Sequence, residues 1–297
     1  MTNASSSWLQ GKRAAMSIGV DVDAELPILA EGVGYADHAM TMSHERFGPL
    51  VGVPRILDFL QDFDLKATFF IPGLAAERYP AMVEAVLSAG HEVGHHSYSH
   101  RTSVSMTADE ERRDLERGLE ALEQFGIKPR GYRSPMWEAA WRTFDLIAEY
   151  GFEYDSTLMD DDRPYMLETA HGPLVELPPH WMLDDWEQYA FLPQPKVGQV
   201  IEAPTKVLDL WISELDALRR YDGLFMLTLH PSLSGRASRV EVLRKLVAQA
   251  VDWGDVDILS AGEIAERVRG DRSLPTRTLE PVEIEPGLYP EGKGIYS

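Results

Sequence analysis

The sequence predicts an α/β protein built on a parallel sheet or barrel. Short apolar runs alternate with segments of helical spacing from residue 14 to residue 268. This alternation is typical of units in which a helix crosses the sheet to reach the next parallel strand. No internal repeat and no long linker divides this stretch. We therefore expect a single domain.

Each predicted strand is a short apolar run bounded by turn residues. The run at residues 14–20 is apolar on both faces, which is typical of a buried parallel strand. The run at residues 67–71 is followed by Pro72 and Gly73, which stop it. The remaining predicted strands lie at residues 91–94, 131–133, 174–177, 224–229 and 256–259.

The clearest predicted helix covers residues 107–125. Thr107 and Glu110 form a capping box at its start, and Gly126 stands at its end. A proline near the start favours a helix at residues 204–221. Further helices are predicted at residues 53–63, 81–89, 139–150, 239–251 and 261–268. Residues 24–52, which contain Gly, Met and His, are expected to form a long loop.

The character of the sequence changes at about residue 271, where Pro, Gly and Glu become frequent and periodicity weakens. We expect one domain at residues 1–270 and an arm at residues 271–297. The arm would lie over the surface or on another subunit, or be disordered.

Composition narrows the class of partner. The formal net charge of −20 disfavours nucleic acids and anionic membrane surfaces, because both would repel the chain. No apolar run is long enough to span a bilayer, and residues 1–12 lack the apolar stretch of a signal peptide. There is no cysteine, so disulfides and thiolate metal sites are excluded. We expect a cytoplasmic protein with a neutral or small substrate.

Polar side chains follow four of the predicted strands at the point where each strand ends. They are Asp21 and Asp23, His96 and His100, Arg133, and His230. In parallel α/β proteins the carboxyl ends of the strands meet at one edge, where functional residues gather. We therefore expect these side chains to form one site.

A metal site is predicted from two of these ends. His96 and His100 are four residues apart, so one helical turn would place both imidazoles on one side. With Asp23 they supply two histidines and a carboxylate, with positions left open for water and substrate. Without that carboxylate the histidines would be read as a hydrogen-bonded loop pair.

Acid–base roles are predicted for three further residues. Asp21 and Asp23 point the same way on an extended segment, so one could bind metal while the other acts as base. The alternative is a pair of turn carboxylates. Arg133 would orient the catalytic aspartate, and His230 is a candidate general acid with Asp184 or Asp185 as its partner.

Three tryptophans flank these segments, namely Trp137, Trp181 and Trp186. Packing in the core is the alternative to substrate contact for each of them. His91 is expected to be structural, and no role is assigned to His95.

These motifs, in this order, resemble the polysaccharide deacetylase family, also called the NodB-homology or carbohydrate esterase family 4 group, over residues 14–268. Residues 96–100 match its His-(Ser/Thr)-x-x-His metal motif, residues 132–135 its Arg-x-Pro motif and residues 227–231 its final His motif. The spaced acids at residues 19–25 resemble the branch that contains the intracellular Helicobacter peptidoglycan deacetylase-like protein, cyclic imide hydrolases and metal-independent allantoinases.

The resemblance implies a distorted (β/α) barrel of about seven strands and a hydrolase of carbon–nitrogen bonds other than peptide bonds. It implies Asp21 as general base, His230 as general acid and Arg133 as the residue that orients Asp21. Asp23, His96 and His100 would bind a divalent metal, most often Zn²⁺. It also implies a homo-oligomer, since members of this branch often form tetramers.

The implied reaction is N-deacetylation of an N-acetyl sugar or a related amide. Hydrolysis of a small cyclic imide or ureide is the alternative, because it also presents a carbonyl with a nitrogen leaving group. A non-catalytic carbohydrate-binding protein on the same scaffold is a second alternative. Trp137 and Trp186 are expected to contact substrate, as is Tyr132 through its backbone N–H.

Overall fold

The computed structural model describes residues 7–278 and 280–288, and its centre is a curled half-barrel sheet surrounded by helices. The strands are β1 Ala14–Asp21, β2 Thr68–Ile71, β3 Glu92–His95, β4 Gly131–Tyr132, β5 Tyr154–Asp155, β6 Tyr165–Glu168, β7 Leu174–Glu176, β8 Leu224–Leu229, β9 Val256–Ile258 and β10 Thr276–Thr278. The helices are α1 Leu26–Glu31, α2 Ala39–Phe47, α3 Val53–Asp62, α4 Gly73–Arg78, α5 Pro80–Ser88, α6 Ala108–Glu123, α7 Trp141–Glu149, α8 Asp185–Tyr189, α9 Pro204–Leu218, α10 Pro231–Ser234, α11 Ala237–Trp253 and α12 Ala261–Gly270.

The strand order confirms the α/β prediction. The order is β10-β6-β7-β5-β4-β3-β2-β1-β8, and β9 pairs with the start of β1. Every pair is parallel except β6 with β7. In the part of the chain that the structure describes, no pairing joins β8 to β10, so the barrel stays open there.

β1 is paired along both of its edges, with β8 on one and with β2 and β9 on the other, and all eight of its residues are buried. Its alternate side chains serve two layers, as the period of a strand requires. Met16, Ile18 and Val20 belong to the large core shared with α3, α9 and α11. Ala15 packs with Met226 in the smaller core. Asp21, the last residue of β1, lies on the same face of the strand as Ala15.

The prediction of a long loop at residues 24–52 is wrong. This stretch forms α1, a 3₁₀ turn at Val33–Asp37, α2 and a π-helical turn at Gly48–Gly52. The helices are short and are interrupted by glycines and prolines, so they carry no long apolar stripe that sequence periodicity could detect. The prediction also lacks several elements of two to six residues, which are too short to show a periodicity: α4, α8, α10, β5, β6 and β10.

Helix α6 confirms the capping-box prediction. The Thr107 hydroxyl accepts a hydrogen bond from the N–H of Glu110 at 3.3 Å, and the Glu110 carboxylate accepts one from the N–H of Thr107 at 2.8 Å. A second box of the same kind, formed by Ser260 and Glu263, begins α12.

The chain continues along the sheet after α12. β10 pairs with β6 in parallel, with Thr276 opposite Met166. Residues 280–288 have no regular secondary structure and are exposed, and the rest of the predicted arm lies outside the described residues. No helix in the described ranges is long and apolar enough to cross a membrane.

Candidate active site

The carboxyl ends of β1, β3, β4 and β8 bring the predicted site residues together. Asp21 ends β1, His96 follows β3, Arg133 follows β4 and His230 follows β8. Asp21, His96 and His230 line a common cavity, and Arg133 lies beneath it in contact with Asp21. The convergence follows from parallel pairing, because all four strands run in the same direction.

Asp23, His96 and His100 form a buried group whose potential ligand atoms all lie within 4.8 Å of one another. Asp23 Oδ1 is 3.5 Å from His96 Nε2, and Asp23 Oδ2 is 3.3 Å from His100 Nε2. His96 Nδ1 lies 2.8 Å from the carbonyl oxygen of Arg133. A carbonyl oxygen only accepts, so Nδ1 carries the proton and Nε2 keeps a lone pair directed to Asp23.

The electrostatics of this group suit a divalent cation. Burial lowers the pKa of His96, which favours the neutral imidazole that ligates metals. Burial alone would raise the pKa of Asp23, but His100, His96 and His230 outweigh it and keep this pKa below its usual value. The buried Asp23 Oδ1 has no hydrogen-bond partner among the described residues. A carboxylate and two imidazoles with such an orphaned acceptor fit Zn²⁺ or a similar ion.

The prediction that a helical turn joins the two histidines is wrong. Ser97 and His100 have φ values of 61° and 60°, so residues 96–100 form a tight loop with left-handed positions. The Asp114 carboxylate of α6 accepts hydrogen bonds from the N–H groups of Tyr98 and Ser99 at 2.8 and 3.2 Å. These bonds replace those of a helix. The two imidazole rings still meet, with their centroids 5.1 Å apart.

Arg133 and Asp21 form a buried ion pair. Arg133 has no exposed surface, and its Nη1 lies 2.6 Å from Asp21 Oδ1. Nη2 donates to the Ser156 hydroxyl at 3.2 Å, and the guanidinium lies 4.1 Å from the centre of the Phe70 ring. A Cβ atom on Gly19 would stand 2.7 Å from Nη1, so the guanidinium needs a glycine there. The sequence alone gave no indication that Gly19 has this role.

His230 is held by two carboxylates. Its Nδ1 lies 2.7 Å from Asp185 Oδ1 and 3.5 Å from Asp184 Oδ1, and its Nε2 lies 3.5 Å from Asp23 Oδ2. Burial alone would lower the pKa of His230, but Asp184 and Asp185 outweigh it and raise this pKa well above the usual value. Protonated His230 can therefore donate a proton. Both candidate partners lie beside it, because Asp184 bridges to Thr228 of β8.

A second pair of carboxyl groups, Asp155 and Glu176, lies behind Arg133 and was missed from the sequence. They stand opposite each other on β5 and β7 and are fully buried. Burial, together with Asp155, raises the pKa of Glu176 well above its usual value, and burial raises the pKa of Asp155 to about 6. Both shifts favour the protonated form, and the shift is larger at Glu176.

This acidic pair supports the loops at the rim. Glu176 accepts hydrogen bonds from the N–H groups of Thr157 and Leu158, both at 3.0 Å. Asp155 accepts from the Thr157 hydroxyl at 2.9 Å, and that hydroxyl accepts from the N–H of Ser134 at 3.1 Å. Ser134 follows Arg133 directly.

A cavity of about 130 Å³ opens beside Asp21, the group of Asp23, His96 and His100, and His230. Besides them it is lined by Pro27, Met136, Trp137, Trp181, Trp186 and Glu187. Trp137 Nε1 donates to Asp184 Oδ2 at 2.9 Å, and the Trp186 ring lies 5.2 Å from the His230 ring. Trp137 and Trp186 thus line the cavity, and their contact with substrate stays a prediction.

Tyr132 lies elsewhere. Its ring packs against His95 and Phe152 in a core cluster and does not line the cavity. Its backbone lies inside the sheet, opposite His95 of β3 and Asp155 of β5. The predicted substrate contact through Tyr132 thus has no support from its position, because strand pairing on both sides occupies this residue.

Comparison with known proteins finds relatives of this chain. The sequence profile of the family described as "Polysaccharide deacetylase" matches residues 47–154. A peptidoglycan deacetylase of Helicobacter pylori is 29% identical over 282 residues, which cover 86% of this chain and 96% of that protein.

Two solved structures have the same fold. A protein of Mycobacterium smegmatis, described as a candidate polysaccharide deacetylase, is 47% identical and superposes with a TM-score of 0.91 over 96% of this chain and 100% of its own. An allantoinase is 22% identical, with a TM-score of 0.79 over 92% of this chain and 96% of its own, and is similar in fold. The full-length match at 47% identity shows that this chain belongs to the polysaccharide deacetylase family, which makes it a hydrolase of carbon–nitrogen bonds other than peptide bonds.

Proposed function

We propose that this protein is a divalent-metal-dependent deacetylase that hydrolyses the N-acetyl group of a sugar or a related amide, with Zn²⁺ as the metal. One observation carries the proposal. Asp23, His96 and His100 lie together in one cavity, with Asp21 and His230 beside them.

The proposed reaction assigns each group a separate task. A metal ion held by Asp23, His96 and His100 would polarise the amide carbonyl and lower the pKa of a bound water. Asp21, oriented by Arg133, takes the proton from the attacking water. His230, kept protonated by Asp185, gives its proton to the leaving nitrogen, which releases acetate and the free amine.

A second candidate function is the hydrolysis of a small cyclic imide or ureide, and the size of the cavity favours it. About 130 Å³ is below the usual 300–1,000 Å³ of ligand pockets. Pro27 of α1 lines the cavity, so the helical segment that replaces the predicted loop forms part of its wall. Such a space suits a single small ring better than a polymer.

The decisive experiment is an activity screen on protein that has been stripped of metal and then reconstituted. The panel contains N-acetylglucosamine oligomers, succinimide, hydantoin and allantoin, and the readouts are acetate release and ring opening. Acetate release that depends on added metal supports the main proposal, whereas ring opening alone supports the second candidate. Binding of these compounds without any turnover would favour a carbohydrate-binding protein.

Metal analysis separates the ligands from the base. We expect Asp21→Asn to bind metal but to lose turnover, because Asp21 is not among the three ligands. His100→Ala should lose the metal, while His171→Ala, a change at an exposed histidine far from the cavity, serves as the control. Unchanged metal content in His100→Ala would remove His100 from the ligand set, and near-normal turnover in Asp21→Asn would remove Asp21 as the base.

A further inference from the structure

The cavity is lined by several carboxyl groups, and its basic side chains are the histidines of the site. Neither Lys nor Arg is among the residues that line it in the described part of the chain. Asp184 and Glu187 line it together with the indoles of Trp137, Trp181 and Trp186. The nearest arginine, Arg133, is fully buried and is paired with Asp21.

We propose that Glu187 is a specificity-determining residue whose carboxylate excludes substrates that carry an anionic group beside the scissile amide. The cavity then accepts uncharged or cationic rings. This inference rests on the proposed function, since it concerns the substrate of the same site.

The carboxyl groups of Asp184 and Glu187 differ in how many partners they already have within the protein. Asp184 is buried, and its oxygens accept hydrogen bonds from Trp137 Nε1 at 2.9 Å and from the N–H of Trp186 at 2.8 Å. Glu187, one turn further along on α8, is exposed and has no ion-pair partner within the described ranges. Partial burial, together with Asp184, raises the pKa of Glu187 to about 7, so above that pH its carboxylate is charged and can act on a ligand in the cavity.

The chemistry of the wall suits a neutral ring. Indole faces pack against the C–H faces of a ring, and an ionised carboxylate only accepts hydrogen bonds. Hydroxyl and N–H groups of a substrate can donate to Glu187, whereas a substrate carboxylate cannot and meets a like charge there. The overall charge of −20 acts in the same direction on an approaching anion.

The test compares two ligands of the same shape. One is a ring amide that bears a carboxylate, such as N-acetylmuramic acid or hydantoin-5-acetic acid, and the other is its carboxamide, which is neutral. Dissociation constants are measured by NMR titration at about pH 8.5, where a free carboxyl group is ionised. Where turnover occurs, kcat/KM is measured for both.

The proteins are wild type, Glu187→Gln, Glu187→Lys and the control Glu84→Lys. Glu84 is an exposed residue of α5 outside the cavity, so its variant makes the same change of net charge elsewhere. Unfolding midpoints check that the variants fold.

We expect wild type and Glu84→Lys to prefer the carboxamide by about tenfold, which is the size of one like-charge contact in a solvated site. Glu187→Lys should abolish or reverse the preference, and Glu187→Gln should reduce it. Equal binding of both ligands by wild type, or an unchanged ratio in Glu187→Lys, would overturn the inference. Binding is read without turnover, so absence of hydrolysis would count against the proposed function and not against this inference.

Discussion

Replacing Arg133 by methionine removes the charge of a buried ion pair while keeping much of the side-chain volume. Arg133 is fully buried, Asp21 is 3% exposed, and 2.6 Å separates the two groups. The Arg133→Met variant would leave the carboxylate of Asp21 in the interior without its positive partner. Breaking a buried pair in this way lowers the free energy of unfolding by about 3–5 kcal/mol.

The double variant Arg133→Met/Asp21→Asn removes both charges. We expect it to lose less free energy than the two single variants together, by about 1.5–3 kcal/mol, the size of a hydrogen bond between charged groups. Arg133 also contacts Ser156 and Phe70. Those contacts are lost with and without the Asp21 change, so they cancel in the comparison.

Urea unfolding followed by tryptophan fluorescence gives the four free energies, provided that the slopes agree. Domains are commonly stable by about 5–15 kcal/mol, so the Arg133→Met variant should still fold in buffer. A loss below about 1 kcal/mol in Arg133→Met, or a double variant equal to the sum of the single ones, would refute the reasoning.

Three further predictions concern residues around this pair and the best-defined helix. Gly19→Ala should lower the free energy of unfolding by about 1–3 kcal/mol and should lower kcat, because the new methyl group crowds the Arg133 guanidinium. Gly34→Ala, which has open space around it, should change neither quantity. Equal effects of the two variants in urea unfolding and kinetics would contradict this. The raised pKa of Glu176 means that its protonated form stabilises the fold, and this stability is lost as pH rises through the pKa values of the pair with Asp155, one of which is about 6. Glu176→Gln, which cannot ionise, should therefore flatten the fall in the urea midpoint between about pH 5 and pH 8, and an unchanged slope would argue against the raised pKa of Glu176. Thr107→Ala should lower the free energy of unfolding by about 1 kcal/mol through loss of the cap, and Thr107→Ser should restore most of it.

We also propose that the protein forms a homo-oligomer. Val282, Ile284 and Leu288 are apolar and largely exposed in the segment after β10, which is a surface that a second copy could cover. Light scattering during size exclusion gives the mass directly. A monomer at all concentrations, or an oligomer that is unchanged when these three residues are replaced by serine, would contradict the role of this segment.

The sequence predicted the site better than it predicted the local backbone around it. Asp21, His96 and His230 could be placed on one edge because parallel pairing fixes where strands end, whatever the loops do. The loop at residues 96–100 could not be foreseen as non-helical, because its hydrogen bonds go to Asp114 on α6, a distant partner that periodicity does not reveal.

Two other features depend on contacts between distant elements. Gly19 looked like an ordinary small residue in a strand, and only the position of Arg133 explains it. Asp155 and Glu176 were given no role from the sequence, and only the register of β5 with β7 places them opposite each other. A single sequence shows residue types and local periodicity. It does not show which residues from distant elements contact each other across the barrel.

The pairing of β1 along both edges also has a consequence for how the molecule is made. β1 pairs with β8, where Ala15 stands opposite Leu224, and with β9, where Ala14 stands opposite Val256. A ribosome therefore releases this buried, largely apolar strand long before two of its three partner strands exist. Pairing over such a separation is slow, and a waiting apolar strand is open to chaperones and to aggregation. Asp21 and His230 can meet only after residues 224–230 have been synthesised, so the acid and base of the proposed reaction come together late in folding.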